Sequence, residues 1–348
     1  MERGVWRRRR GYEDVVLPGS SFAQAKFFLG RPENLDVIWR DGVAFKRGPH
    51  WIAVTPGPDP TAVKDDNWDR VVELLIREDP ACIEGDPAYL SGLARRCLAH
   101  GVELRRLSRV IAGHSYCWRI YAEPIEKAFR QPVRSSLATS ELGTIGATCD
   151  EGRLHLVETG LFFEIVAQGR GVREGEIGAL VATTLDTRLR PLVRYVNGDV
   201  VRLISRACRC GRPYRVVEYE GRIANLLQRR RRSFVTCRDI DAVIAAPAGV
   251  RYFKLRETKG GFVLELLATS PEIVPAAKLR STLEERLGGE VTIRFVDSFG
   301  PRRTGKHLAL ETYDHYGAGL TYFLGTEQRS VLRTRVAVSR RMETSHDR

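Results

Sequence analysis

The sequence predicts an α/β protein of two domains, a large α/β domain with a β-rich subdomain and a small α+β domain on its C-terminal side. Three observations carry that expectation. Helical and strand-like runs alternate between residues 65 and 139. Short strand runs punctuated by glycine then follow one another to about residue 204, and a hairpin, a helix and a strand succeed each other after Gly221. A length of 348 residues agrees with two domains rather than one.

The first helix is expected over DDNWDRVVELLIRED (65–79), where Trp68, Val71, Val72, Leu74, Leu75 and Ile76 form an apolar stripe behind an acidic first turn. PAYLSGLARRCLAHG (87–101) repeats the pattern and stops at Gly101, a residue suited to the left-handed position that ends helices. LSRVIAG (107–113) reads as a short buried strand, EPIEKAF lies in a third helix, and PVRSSLA is a further strand. From residue 154 the runs LHLVETGLFFEIV, GEIGALVATTL and DVVRLIS read as strands of the subdomain, spanning 150–220. RYFKLRETKGGFVLELLA (251–268) holds two β runs around Lys259-Gly260-Gly261, a hairpin signal. PEIVPAAKLRSTLEERLGG follows as a helix closed by two glycines, and EVTIRFVDS as a strand. The expected limits are therefore 1–220 for the large domain and 221–312 for the small one. Residues 313–348 form a tail without a strong period.

Composition narrows the class. Apolar residues at 43% and charged residues at 28% are ordinary for a soluble globular chain, and no window reaches the ~18 continuous apolar residues that a membrane span needs. The opening MERGVWRRRRGYED has charge but no apolar segment behind it, so a cytoplasmic location with reduced cysteines is expected. A net charge of +13 raises the question of nucleic acid. Only eight residues are lysine, however, and the runs WRRRRG (6–11) and QRRRRSF (228–234) are not interleaved with aromatics as a stacking platform requires. They read as solvated basic faces.

Several short stretches carry chemistry in a definite order: Ser140-Glu141 in LATSELG, Arg194-Tyr195-x-x-Gly198-Asp199, Cys208-x-Cys210-Gly211-Arg212, Gly221-Arg222 and Gly305-Lys306. In this order they resemble the adenylate-forming ligases, and specifically the branch containing phenylacetate-CoA ligase, coenzyme F390 synthetase and the CapK-like proteins, over roughly residues 80–310. The resemblance implies the adenylate-forming ligase fold, with a small mobile C-terminal domain turning about Gly221-Arg222 between two half-reactions. It implies ATP-dependent activation of a carboxylic acid, aryl or related, and transfer of the acyl group to coenzyme A or another acceptor.

Adenylation sets a carboxylate against the α-phosphate of ATP, so both anions must be screened and Mg²⁺ held by hard oxygen ligands. By the resemblance, Glu141 is that ligand. Lys306 is the ammonium that stabilises the transition state and the departing pyrophosphate. Asp199, at a strand end, is placed to accept hydrogen bonds from the ribose hydroxyls. Ser140, Arg222, Gly113 and His114 complete the implied contacts to nucleotide and acyl group.

Departures from the family pattern keep a second class open. No Ser/Thr/Gly-rich phosphate loop is legible, LPGSSFAQAK (17–26) being the one small-residue stretch early enough. Leu137 stands where an aromatic residue would stack on adenine, Ala138 replaces glycine, and Ala224 and Asn225 replace the acids of the hinge. The alternative is a catalytically silent member serving as a binding or scaffold subunit, as a homodimer or with a partner protein.

Cys149, His155, Cys208 and Cys210 add three thiols and one imidazole, a set suited to tetrahedral Zn²⁺, and the resemblance implies a structural zinc there. Buried free thiols beside a strand histidine are the alternative. Cys82, Cys97, Cys117 and Cys237 read as core or incidental positions.

Overall fold

A computed structural model describes residues 26–29, 38–40, 43–48, 51–186, 191–204, 207–229, 233–245, 247–299, 309–312 and 316–325. Strands β1 (Lys26–Leu29), β2 (Ile38–Arg40), β3 (Val43–Gly48) and β4 (Trp51–Thr55) precede α1 (Asp65–Glu78), β5 (Cys82–Gly85), α2 (Pro87–His100), β6 (Arg109–Ala112), α3 (Arg119–Phe129) and β7 (Val133–Thr139). Neighbours β4, β1, β5, β6 and β7 are parallel. The three helices are the crossovers that parallel pairing demands.

Local chemistry explains the helices. Asp86 caps α2 by accepting from Ala88 N, Pro87 stands at its first position, and Gly101 ends it with φ of 63°. In α1, Trp68, Val71, Val72, Leu74 and Leu75 are buried. Ile76, expected in the same stripe, is 52% exposed because it falls past the edge of that face.

At β7 the pairing changes sense. β8 (Gly143–Thr148) runs antiparallel to it, and β9 (Leu154–Leu156), β10 (Leu161–Ala167), β11 (Arg170–Gly171), β12 (Ile177–Thr184), β13 (Tyr195–Ile204) and β14 (Val216–Arg222) extend the sheet in antiparallel sense. The resulting order is β11-β10-β12-β13-β14-β9-β8-β7-β6-β5-β1-β4-β3-β2. Leu142, Phe163, Leu180 and Val201 form the core under one face of the antiparallel part.

Beyond β14 a 3-10 turn, Ile223–Asn225, leads to the hairpin β15 (Leu227–Arg229) and β16 (Ser233–Val235), then α4 (Cys237–Ile244). A separate sheet follows, built from β17 (Val250–Thr258), β18 (Gly261–Ala268), β19 (Val291–Phe295) and β20 (Leu310–Glu311) in the order β19-β18-β17-β20, with α5 (Ala276–Leu287) between β18 and β19. This sheet is fastened to the large one. Phe253 meets Trp118 edge to face at 5.0 Å, and Tyr252 OH donates to Pro60 O and Ala88 O, each at 3.3 Å.

The tail holds one more element. α6 (Tyr316–Leu324) buries Leu320, Phe323 and Leu324. Its two glycines hide it from a propensity reading, and burial supplies what propensity lacks. Among the described residues no helix is long and apolar enough to cross a membrane.

Candidate functional site

The β13–β14 ladder sets Asp199 opposite Arg222. Asp199 is only 6% exposed, and its carboxylate accepts from Asn197 Nδ2 at 2.7 Å and Tyr219 OH at 3.1 Å, with Arg222 Nε 3.5 Å away. Arg222 also donates through Nη2 to Asn197 O at 2.6 Å. The strand is shaped for this pair. Gly198 has φ of 88°, and a Cβ there would lie 3.1 Å from Arg222 Nη2. Burial pushes the Asp199 carboxyl above its ordinary pKa, while Arg222, Tyr219 and Asn197 pull it back.

This pair lies in the wall of a cleft of about 700 Å³ that also takes in His114, Thr139, Tyr219, Leu310 and Tyr316. Tyr116 and Tyr219 stack along it at 5.9 Å. His114, directly after β6, lines the cleft from a left-handed backbone with φ of 70°, and Gly113 before it donates to Gly85 O at 2.9 Å. Leu137 contributes to the wall while packing into the core, 9% exposed.

Ser140 and Glu141 are exposed in the turn that follows Thr139. Glu141 is reached by the Tyr195 hydroxyl, whose pKa is raised first by burial and then by this carboxylate. The structure thus gathers Asp199, Arg222 and His114 in the cleft, with Ser140 and Glu141 beside it. Lys306 and Gly305 lie outside the described residues; Ala309 and Leu310, a few positions on, line the cleft.

Sequence reasoning missed Asn197, Tyr219, Asp86 and Tyr316. Asn197 had a signal, since residues two apart on a strand share a face and it precedes Asp199 by two. Tyr219 had none without the β13–β14 register.

A second constellation joins the turn after β8, strand β9 and the loop before β14. The ligand atoms of Cys149, His155, Cys208 and Cys210 all lie within 4.8 Å of one another. Cys149 Sγ and Cys208 Sγ are 3.6 Å apart, and Cys210 Sγ is 3.4 Å from His155 Nε2. His155 Nδ1 sits 3.0 Å from Tyr214 O, so that nitrogen carries the proton toward the carbonyl and Nε2 turns its lone pair to the thiols. Burial holds the His155 pKa below its usual value, which favours the neutral ring a metal requires. The donor set fits a tetrahedral ion.

Comparison with known proteins follows from this geometry. No family model matches the chain. It is 29% identical over 191 residues to a phenylacetate-coenzyme A ligase of Thermus thermophilus, covering 51% of this chain and 41% of that protein. It is also 29% identical over 140 residues to protein CapK of Staphylococcus aureus, covering 40% of this chain and 30% of CapK. The chain therefore spans less than half the length of either relative. Among solved structures it is similar to a 2-hydroxyisobutyryl-CoA ligase in the postadenylation state in complex with R3-HIB-AMP, at a TM-score of 0.64 and 16% identity, over 91% of this chain and 70% of that one. At that identity the likeness is one of fold.

Proposed function

We propose, for a chain that belongs to the adenylate-forming ligases and within them to the branch of phenylacetate-CoA ligase and CapK, that the cleft activates a carboxylic acid as its acyl-adenylate and passes the acyl group to coenzyme A or another nucleophile. One observation carries the reading: a buried acid, Asp199, held by Tyr219, Asn197 and Arg222 where a cleft opens beside Glu141. A carboxylate with its pKa shifted by burial and with a specific charge partner in a cleft wall is the kind of group that marks a functional site.

In the first step a carboxylate oxygen of the acid bonds to the α-phosphorus of ATP while the bond to the β-phosphate oxygen breaks and pyrophosphate leaves. Asp199 accepts hydrogen bonds from the ribose hydroxyls, and Arg222 sets a guanidinium beside the sugar–phosphate. His114 contacts nucleotide or acyl group from the loop after β6. Lys306 screens the charge on the departing pyrophosphate. In the second step a thiol attacks the acyl carbon, the thioester forms and AMP leaves.

Glu141 would hold Mg²⁺, which would supply charge neutralisation on the phosphates, with Ser140 beside it contacting the nucleotide. Cys149, His155, Cys208 and Cys210 would hold a structural Zn²⁺ that ties two connections of the antiparallel sheet. The silent-scaffold alternative is less favoured, since a scaffold has no need of an exposed Arg222 set beside a buried Asp199 in a cleft wall.

The test is acid-dependent exchange of labelled pyrophosphate into ATP across a panel of carboxylic acids, with Lys306→Ala alongside. Exchange with at least one acid is expected, reduced about a hundredfold or more by the substitution. A folded protein that supports no exchange with any acid would overturn the reading.

A further inference from the structure

One wall of the cleft comes from neither of its two sheets. Tyr316, the first residue of α6, lines it together with Arg222, Asn225 and Leu310. The helix that carries it is anchored outside the cleft. Leu320, Phe323 and Leu324 pack against Val166, Val181 and Ile223. The turn after β10 donates Gln168 N to Tyr322 O at 3.1 Å and Gly169 N to Phe323 O at 3.0 Å, satisfying carbonyls that a helix end leaves without partners. Gly319 allows the close approach, since a Cβ there would meet Ile223 Cγ2 at 2.7 Å. Just before the helix, Thr312 Oγ1 donates to Ala224 O at 3.0 Å. Thr312 is thus held to the turn after Arg222, and the C-terminal end of α6 to the turn after β10. The docking of α6 sets the backbone of Tyr316 at the cleft wall.

Its position joins the two halves of the site. Burial raises the Tyr316 phenol, and the Arg222 guanidinium nearby opposes that shift. The same phenol acts electrostatically on Tyr195, the residue whose hydroxyl reaches Glu141. Tyr316 therefore shares the cleft lining with Asp199 and Arg222. Leu137, in another part of the cleft wall, is aliphatic and 9% exposed, so it offers a nucleotide apolar contact and no hydrogen bond.

We infer that Tyr316 is a nucleotide-binding residue, placed by the docked C-terminal helix and contacting the sugar–phosphate part of an adenine nucleotide beside Arg222. The inference rests on the adenylating function proposed above, and goes beyond it by making a segment outside both sheets part of the binding site.

The experiment is AMP binding by titration calorimetry to the full chain, to Tyr316→Phe, to Tyr316→Ala and to Leu320→Asp, which undocks α6 while leaving Tyr316 in the sequence. Circular dichroism and thermal unfolding of each variant monitor the fold. Loss of the hydroxyl is expected to weaken AMP about fivefold, the factor for one neutral hydrogen bond. Tyr316→Ala and Leu320→Asp should weaken it further and by similar factors. In the exchange assay, Tyr316→Ala should raise KM for ATP and leave KM for the acid in place, a split that general loosening of the fold does not produce. Wild-type affinity in Tyr316→Ala overturns the inference and leaves the ligase reading standing. Failure of the wild-type chain to bind AMP and to exchange pyrophosphate overturns both.

Discussion

Thr236 ties the strand carrying Arg222 to the helix after the hinge turn, and its hydroxyl is predicted to matter out of proportion to its size. Oγ1 donates to Glu220 Oε2 at 2.7 Å and accepts from Asp239 N at 3.2 Å, while Asp239 Oδ2 accepts from Thr236 N at 3.0 Å, closing a capping box on α4. Glu220 is 1% exposed, and its other oxygen takes Arg202 Nε at 2.9 Å. Thr236→Ala removes the helix cap, worth about 1 kcal/mol. It also leaves a buried carboxylate oxygen short of a donor, at about 1–3 kcal/mol. With about 1 kcal/mol for the methyl that goes too, the sum is about 3–5 kcal/mol of lost stability. Thr236→Ser keeps both hydrogen bonds and deletes one methyl, about 1 kcal/mol. Urea unfolding followed by tryptophan fluorescence measures the three proteins, with midpoints compared at unchanged slope. The expected order is wild type, then serine, then alanine, with alanine about 2–4 kcal/mol below serine. Serine and alanine variants within about 0.5 kcal/mol of each other refute the reasoning.

Three further outcomes follow from the same structure. Purified protein should carry about one zinc per chain, and His155→Ala should lose it together with several degrees of thermal midpoint; elemental analysis of wild-type protein below about 0.2 zinc per chain would remove the metal site. Because burial holds the Asp199 proton above the ~3.9 of an unfolded aspartate, the folded chain binds more protons in that window, and this group's contribution to stability falls as pH rises through its raised pKa. Thermal unfolding from acidic to neutral pH should therefore slope more steeply downward in wild type than in Asp199→Ala, while AMP affinity of the wild type rises over the same interval; equal slopes contradict the assignment. Gly198→Ala forces a side chain into a backbone with φ of 88° and against Arg222, so it should cost about 1–2 kcal/mol in urea unfolding and weaken AMP as well.

Much of the candidate site was legible because it depends on local chain chemistry. Asp199 and Arg222 stand next to glycines, Gly198 at φ of 88° and Gly221 at φ of 106°, and glycine before a charged residue marks a backbone that few other side chains tolerate. The Cys149, His155, Cys208 and Cys210 set was legible for the same reason, since thiols and imidazole in paired short spacings announce themselves. Asn197, Tyr219 and Tyr316 were not. Tyr219 reaches Asp199 only through the β13–β14 register, with its shift between Val200 and Val201. Tyr316 depends on the docking of a helix whose sequence, YGAGLTYFL, carries two glycines against helix formation.

The sequence by itself determined the alternation of helix and strand, the change to strand after strand, the order of the chemical motifs and the residues able to ligate a metal. Each of these rests on period, turn chemistry or side-chain type, all properties of neighbours along the chain. Only the tertiary structure decided that the sheet changes from parallel to antiparallel at β7, that the small sheet locks onto α2 and α3 through Tyr252 and Phe253, and that α6 brings Tyr316 into the cleft lining. Those features come from apolar burial and hydrogen bonds between residues up to 192 positions apart, as in Tyr252 with Pro60, and no local pattern records which distant surfaces will meet.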